Sequence, residues 1–303
     1  MRFLPRPPQT SFTHRNINFN LLIKFMDKKI GLFWLRDDFR ISKNNGLIEA
    51  TVNHDQVVVF YLYKKKKYQY QEAQKWWLSK SLYNFKKNLG NFNINLEILE
   101  VDSYKIFFDK LLKNKNFSIY WNKVYEPDYL KFDQYLIKNL RANDIKFRIF
   151  KGNILNEVDE INKSDGTPFK VFTPFWRTAE KYYIEKIPPK EKIIKKCVNK
   201  KKYFTNLIDS AEVSPKKKWS KNFEDIWSPA EENALKELKF FIKNKITNYS
   251  DRRNFPNIIG TSKLSPFIKF GQLHVETIWK ECSKVSYKSI GTTKFLAEIG
   301  WRE

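Results

Sequence analysis

The sequence predicts an α/β domain built on a doubly wound, mostly parallel five-stranded sheet, followed by a partial all-helical domain. Two observations predict this. Between Asp27 and about Phe150, short apolar runs rich in β-branched and aromatic residues alternate with stretches of helical period. Beyond Ser228 no strand pattern occurs, and apolar residues recur only at helical spacing.

The expected strands are Ile30–Leu35, Val57–Leu62, Ile94–Val101, Phe117–Trp121 and Lys146–Phe150. Between them Leu78, Leu82, Phe85 and Leu89 fall on one face of a helix, Phe108, Leu111 and Leu112 mark a second, and Phe132, Leu136 and Leu140 a third. Strands alternating with helices of this length imply a parallel sheet covered on both faces. Such a sheet can bind a nucleotide at its strand ends. The turn after the first strand, however, reads Leu35-Arg36-Asp37-Asp38 without a glycine fingerprint, and no GxxxxGK[ST] occurs. A dinucleotide dehydrogenase or a P-loop enzyme is therefore excluded as the leading class.

Residues 151–227 read as a solvated, basic interdomain connection: they hold several prolines and lysine runs at 195–202 and 216–218, and lack a strong period. Ser228-Pro229-Ala230-Glu231 has the form of a capping box, opening a helix whose buried stripe is Leu235, Leu238, Ile242 and Ile246. The helical part is expected over 228–303. Residues 1–26, with Pro5, Pro7 and Pro8, read as a disordered or mis-called extension with Met26 as the true start. The patch Leu21–Ile23 is too short for a signal-peptide core.

The chain of 303 residues has 57 Lys and Arg against 33 Asp and Glu, a formal charge of +24. That balance suits a polyanionic partner such as nucleic acid; the alternative reading is composition bias, since the excess is mostly Lys. Cys197 and Cys282 lie far apart without a CxxC, and only three histidines occur, so neither a disulfide framework nor a metal site is expected and a cytoplasmic location fits. No apolar run reaches the roughly 20 residues of a membrane span.

Near the end, Glu298, Trp301 and Arg302 share one helical face. On spacing alone the favoured reading is two core aromatics, Trp301 and Phe295, with an i, i+4 ion pair between Glu298 and Arg302. Thr261-Ser262-Lys263-Leu264-Ser265-Pro266 places hydroxyls and free amides just before a helix start, which on its own is either a capped helix or an anion site.

Four segments in order carry a resemblance: LFWLRDDFRISKNNGL (32–47), YWNKVYEPDYLKFD (120–133), GNILNEVDEINKSDGTPFKVFTPFWR (152–177), and YSDRRNFPNIIGTSKLSPFIKFGQL (249–273) with FLAEIGWRE (295–303). The chain resembles the DNA photolyase and cryptochrome family from about Lys29 to Glu303, and in particular bacterial cyclobutane pyrimidine dimer photolyases. The resemblance implies a flavoprotein, a carbon–carbon lyase that repairs UV-damaged DNA by light-driven electron transfer from reduced FAD. It assigns Tyr249, Thr261, Ser262, Leu264, Ser265 and Arg302 to FAD. Glu298 and Trp301 are assigned to the chemistry, and Glu298, Trp301 and Arg302 to the extruded dimer. Lys263 stands where Arg is usual, Phe295 where some relatives have Trp, and Lys43 where an acid is usual. An antenna pigment, folate or deazaflavin, is implied without being identified; the carboxylate some relatives use would fall near Tyr129, beside Asp128. A monomer is expected. More flavin contacts and electron-relaying tryptophans follow this region in the family, so the chain reads as C-terminally truncated, binding FAD weakly and repairing nothing when expressed alone. Two other classes stay open: a blue-light-sensing cryptochrome, told apart by absent repair turnover, and a basic nucleic-acid-binding fragment, told apart by indifference to lesions.

Overall fold

The computed structural model describes residues 30–64, 71–185, 193–198, 202–216, 218–285 and 289–303. The expected N-terminal extension lies outside the described residues.

Strands β1 (Ile30–Leu35), β2 (Val57–Tyr63), β3 (Asn95–Glu100), β4 (Phe117–Asn122) and β5 (Phe147–Phe150) match the expected five. Helices α1 (Asn45–Asn53), α2 (Glu72–Gly90), α3 (Tyr104–Leu111) and α4 (Pro127–Ala142) alternate with them. A sixth strand, β6 (Leu207–Ile208), pairs antiparallel with β3, giving the order β5-β4-β1-β2-β3-β6 with all other pairings parallel. Two residues in a lysine-rich stretch carry no alternating pattern, so sequence reading missed β6. It is held by Glu97 of β3, whose buried carboxylate accepts from the Tyr203 and Phe204 amides at 2.6 Å each.

Alternation along β1 builds two cores. Phe33 and Leu35 face α1 and α2, while Ile30, Leu32 and Trp34 face α3 and α4. The first core continues without a break into the helical part through Phe241, Phe267, Trp279 and Phe295.

The stretch 151–227 differs from the expected solvated connection. It contains α5 (Phe172–Glu185), with Trp176 and Ala179 buried, and buries Leu155 and Val213 as well. Prolines and lysines dominate its composition, but the apolar residues between them are core residues. After the short α6 (Phe223–Ile226) come α7 (Glu231–Asn244), α8 (Tyr249–Arg252), α9 (Ser265–Lys269), α10 (Val275–Val285) and α11 (Ile290–Gly300).

The expected capping box at Ser228 does not form. The N-cap of α7 is Ala230, and the Ser228 hydroxyl instead accepts from Asn233 Nδ2 at 2.7 Å. Leu238 and Ile242 are buried on α7 as expected, whereas Ile246 is buried beyond the helix end.

The loop after β1 docks the helical part onto the sheet. The Phe39 amide donates to the Phe270 carbonyl at 3.2 Å, and Arg40 Nη1 to the Gly271 carbonyl at 2.8 Å. Lys43 pairs with Glu276 at 3.3 Å, so the lysine at the family's acidic position acquires its own partner. Gly271, at φ 62°, lies so close to the Asp37 carbonyl that a Cβ would collide with it. On the α2 side Trp77 Nε1 donates to Gln272 Oε1 at 3.0 Å, and Gln272 Nε2 donates to Ser81 Oγ at 3.1 Å.

Candidate functional site

The predicted site residues fall into three groups. The first surrounds Tyr249, the first residue of α8, which packs edge-on between Phe241 at 5.6 Å and Phe295 at 5.3 Å. Burial raises its phenol pKa. Arg253, one residue past α8, lies over the Tyr249 ring at 5.3 Å and pairs with Glu298 of α11 at 2.5 Å. Glu298 also has Lys294 at 3.8 Å. Two cations therefore face this carboxylate, and its close contact holds the Arg253 guanidinium above its ordinary pKa.

The second group is the loop Thr261–Ser265. Gly260 carries it past α8, at a point where a Cβ would meet the Arg252 carbonyl oxygen at 2.6 Å. Lys263 takes a left-handed φ of 56°, and Ser262 Oγ accepts from the Leu264 amide at 3.4 Å. Thr261 and Ser265 are exposed, Ser262 is half-buried and Leu264 is buried. As expected, Ser265 opens a helix with Pro266 in its first turn, though the helix spans only five residues. Lys263 Nζ reaches over the Trp227 ring at 5.9 Å.

The third group is the end of α11. Trp301 is the C-cap residue with helical dihedrals. Its indole stacks on Phe172 of α5, with centroids 3.8 Å apart and planes at 8°, yet Trp301 remains 64% exposed. Trp301 is thus exposed in this chain, whereas Phe295 is a core aromatic, at 3% exposure. The i, i+4 pair between Glu298 and Arg302 is not made. Arg302 Nη1 donates to the Asn153 carbonyl at 2.6 Å, and the next residue, Glu303, accepts from the Leu155 and Asn156 amides at 2.7 and 3.2 Å. Asn153 also donates to the Ile268 and Leu273 carbonyls at 3.2 and 3.1 Å and accepts from the Val275 amide at 2.9 Å. One asparagine thereby joins α9, α10 and the end of α11.

Sequence reasoning assigned no role to Phe172, Asn153 or Arg253, although all three lie inside quoted motifs. Phe172 and Asn153 were absorbed into a presumed connection, and nothing in the spacing between positions 253 and 298 announces their pairing.

At the sheet's switch point, between the C-terminal ends of β4 and β1, the space is taken by the chain itself. Arg36 pairs with Asp133 at 3.0 Å and donates to the Asn122 carbonyl, and Asn122 in turn bonds Asp38 and, at 2.8 Å, Asn44. Tyr129, near which an antenna carboxylate would fall, is buried with its hydroxyl 3.4 Å from that of Tyr104 and with Arg36 over its ring at 5.2 Å. Burial holds its phenol well above the ordinary pKa.

An α/β sheet joined through such a loop to a helical part that presents these three groups defines a class, and the comparisons name it. The DNA photolyase family profile matches residues 31–192, and the chain belongs to that family. It is 30% identical over 279 residues to a deoxyribodipyrimidine photo-lyase of Agrobacterium fabrum, covering 90% of this chain and 57% of that protein. It is 25% identical over 269 residues to cryptochrome-2 of Arabidopsis thaliana, covering 86% of this chain and 43% of the relative. The crystal structure of a bacterial class III photolyase from Agrobacterium tumefaciens superposes with a TM-score of 0.80 at 28% identity, over 93% of this chain and 59% of that one. The chain thus spans little more than half the length of the photolyases it matches.

Proposed function

We propose that this chain serves light-dependent repair of cyclobutane pyrimidine dimers in DNA, with FAD as cofactor and damaged DNA as partner. The observation that carries the reading is Trp301, an indole with one face stacked on Phe172 and 64% of its surface exposed. A flat apolar face of this kind is what an extruded pyrimidine dimer needs as a wall.

The residues fit the cofactor. The Thr261, Ser262 and Ser265 hydroxyls, on a loop whose backbone turns at the left-handed Lys263, supply donors for a diphosphate, and the Lys263 ammonium supplies charge. When bound, reduced FAD supplies the light-excited electron that opens the dimer's cyclobutane ring. The chain's own residues bind and orient. Trp301 stacks on the dimer, and Glu298 accepts a hydrogen bond from a pyrimidine N–H while Arg253 and Lys294 balance its charge. Arg302, anchored on the Asn153 carbonyl, fixes the polar edge beside the wall. The charge of +24 draws DNA to the surface, and affinity falls steeply with salt.

The test is affinity for a single strand carrying one thymine dimer against the same undamaged strand, with FAD and blue light then added. A preference for the damaged strand, lost in Trp301→Ala, supports the reading. Flavin binding without lesion preference makes the chain a sensor, and lesion-blind DNA binding without flavin makes it a basic nucleic-acid-binding module.

A further inference from the structure

The Trp301 wall has a backing. Phe172 lies against its inner face at 3.8 Å and 8°, and the Phe172 ring is itself nearly parallel to that of Trp176, one helical turn on, at 6.2 Å and 7°. Trp176 is buried and fixed edge-on against Trp279 at 5.8 Å. Gly300 permits the approach, since a Cβ there would collide with the Trp176 ring. Three parallel rings on two helices thus end in one open face. Among the described residues the Trp301 indole makes no hydrogen bond, and its ring contact is the stack on Phe172.

We propose that Phe172 is a positioning residue for lesion recognition: it holds the Trp301 indole in the orientation that stacks on an extruded pyrimidine dimer. The proposal rests on the reading of Trp301 as the wall of the lesion site. An unbacked indole at the end of a helix samples several rotamers, and binding a flat ligand must then pay the cost of fixing one. A parallel ring on the far face removes that cost in advance. An aromatic pair contributes about 0.5–1.5 kcal/mol beyond burial, which corresponds to roughly two- to tenfold in affinity. Undamaged single strands, bound mainly through phosphates, gain far less from a fixed indole, so the effect appears in the ratio of the two affinities.

The experiment measures that ratio for the whole chain with a dimer-containing oligonucleotide and its undamaged counterpart. Phe172→Leu keeps apolar bulk without a ring face, Phe172→Tyr keeps the ring, and Trp301→Ala removes the wall. The expected result is a ratio lowered about two- to tenfold in Phe172→Leu, restored in Phe172→Tyr, and abolished in Trp301→Ala. An unchanged ratio in Phe172→Leu alongside a lost one in Trp301→Ala overturns the role of Phe172 and leaves the wall standing. An unchanged ratio in Trp301→Ala overturns the wall and the proposal with it. If Phe172→Leu does not fold by circular dichroism, Phe172→Met takes its place with the same outcomes.

Discussion

The Glu231 carboxylate reaches away from its own helix and grips the backbone of Ile41 and Ser42, accepting from the two amides at 2.6 and 3.0 Å and from the Ser42 hydroxyl. A residue that the local sequence assigns to a capping box works instead as an anchor between the helical part and the β1–α1 loop. Hydrogen bonds to a charged group contribute about 1.5–3 kcal/mol when well shielded. This one is partly exposed, which argues for the low end of that range. Glu231→Ala is expected to cost about 1–2 kcal/mol in urea unfolding, with Glu231→Gln recovering part of it. No change on truncation would show that the loop is held by Phe39 and Arg40 without it.

A stronger dependence is expected where the charges are fully enclosed. Arg36 and Asp133 pair at 3.0 Å with side-chain exposures of only 2% and 8%, and Trp121 Nε1 donates to the same carboxylate at 3.2 Å. Removing one partner leaves the other charge buried. Asp133→Ala is therefore expected to cost about 3–5 kcal/mol, while Arg36→Met combined with Asp133→Leu recovers most of the loss. Chemical denaturation of the three variants measures both. A double variant as unstable as the single one would mean that the hydrogen bonds to Asn122 and Trp121, and not the charge balance, dominate.

The central strands β1, β2 and β4 were legible because they are buried on both faces, and such strands write themselves as unbroken apolar runs, as in Val57–Tyr63. The helices α2 and α4 were legible through the spacing of Leu78, Leu82, Phe85 and Leu89 and of Leu136 and Leu140. What stayed hidden is what long-range contacts decide. The two-residue β6 exists because Glu97 holds the preceding amides, and Glu231 leaves its cap because the loop at 41–42 offers it two amides and a hydroxyl. In the site, the resemblance supplied Glu298, Trp301 and Arg302, but their partners Arg253, Phe172 and Asn153 are 45, 129 and 149 residues away in sequence. No local period reports contacts at that range.

Gly271 should tolerate no side chain. Its φ of 62° disfavours any L-residue, and a Cβ would run into the Asp37 carbonyl, which is backbone and cannot swing aside. Left-handed strain costs on the order of 1–3 kcal/mol, and the collision adds to it. Gly271→Ala is expected to lower the melting temperature and to loosen the loop at Phe39 and Arg40, seen as faster amide hydrogen exchange there. Exchange unchanged at Phe39 would show that the loop does not depend on this close approach.

His274 gives the junction a pH limit. It is 4% exposed, and its Nδ1 accepts from the Glu276 amide at 3.1 Å. Burial first, then the nearby Arg40, Lys151 and Lys43 charges, push its pKa well below the ordinary imidazole value, against a smaller opposing effect of a hydrogen bond with the Gly152 backbone. The imidazole is thus neutral in the fold, while in the unfolded chain it takes a proton below about pH 6.5. Above that value both states are neutral and the histidine adds no pH dependence. Below it the unfolded state binds the extra proton, so stability falls as pH falls, by at most about 1.4 kcal/mol per pH unit, until the folded pKa is reached. His274→Asn keeps an acceptor for the Glu276 amide and removes the titration. Urea unfolding between pH 7 and pH 5 should show a steeper loss in the unsubstituted chain than in His274→Asn. Equal slopes would mean that other groups carry the acid sensitivity of the fold.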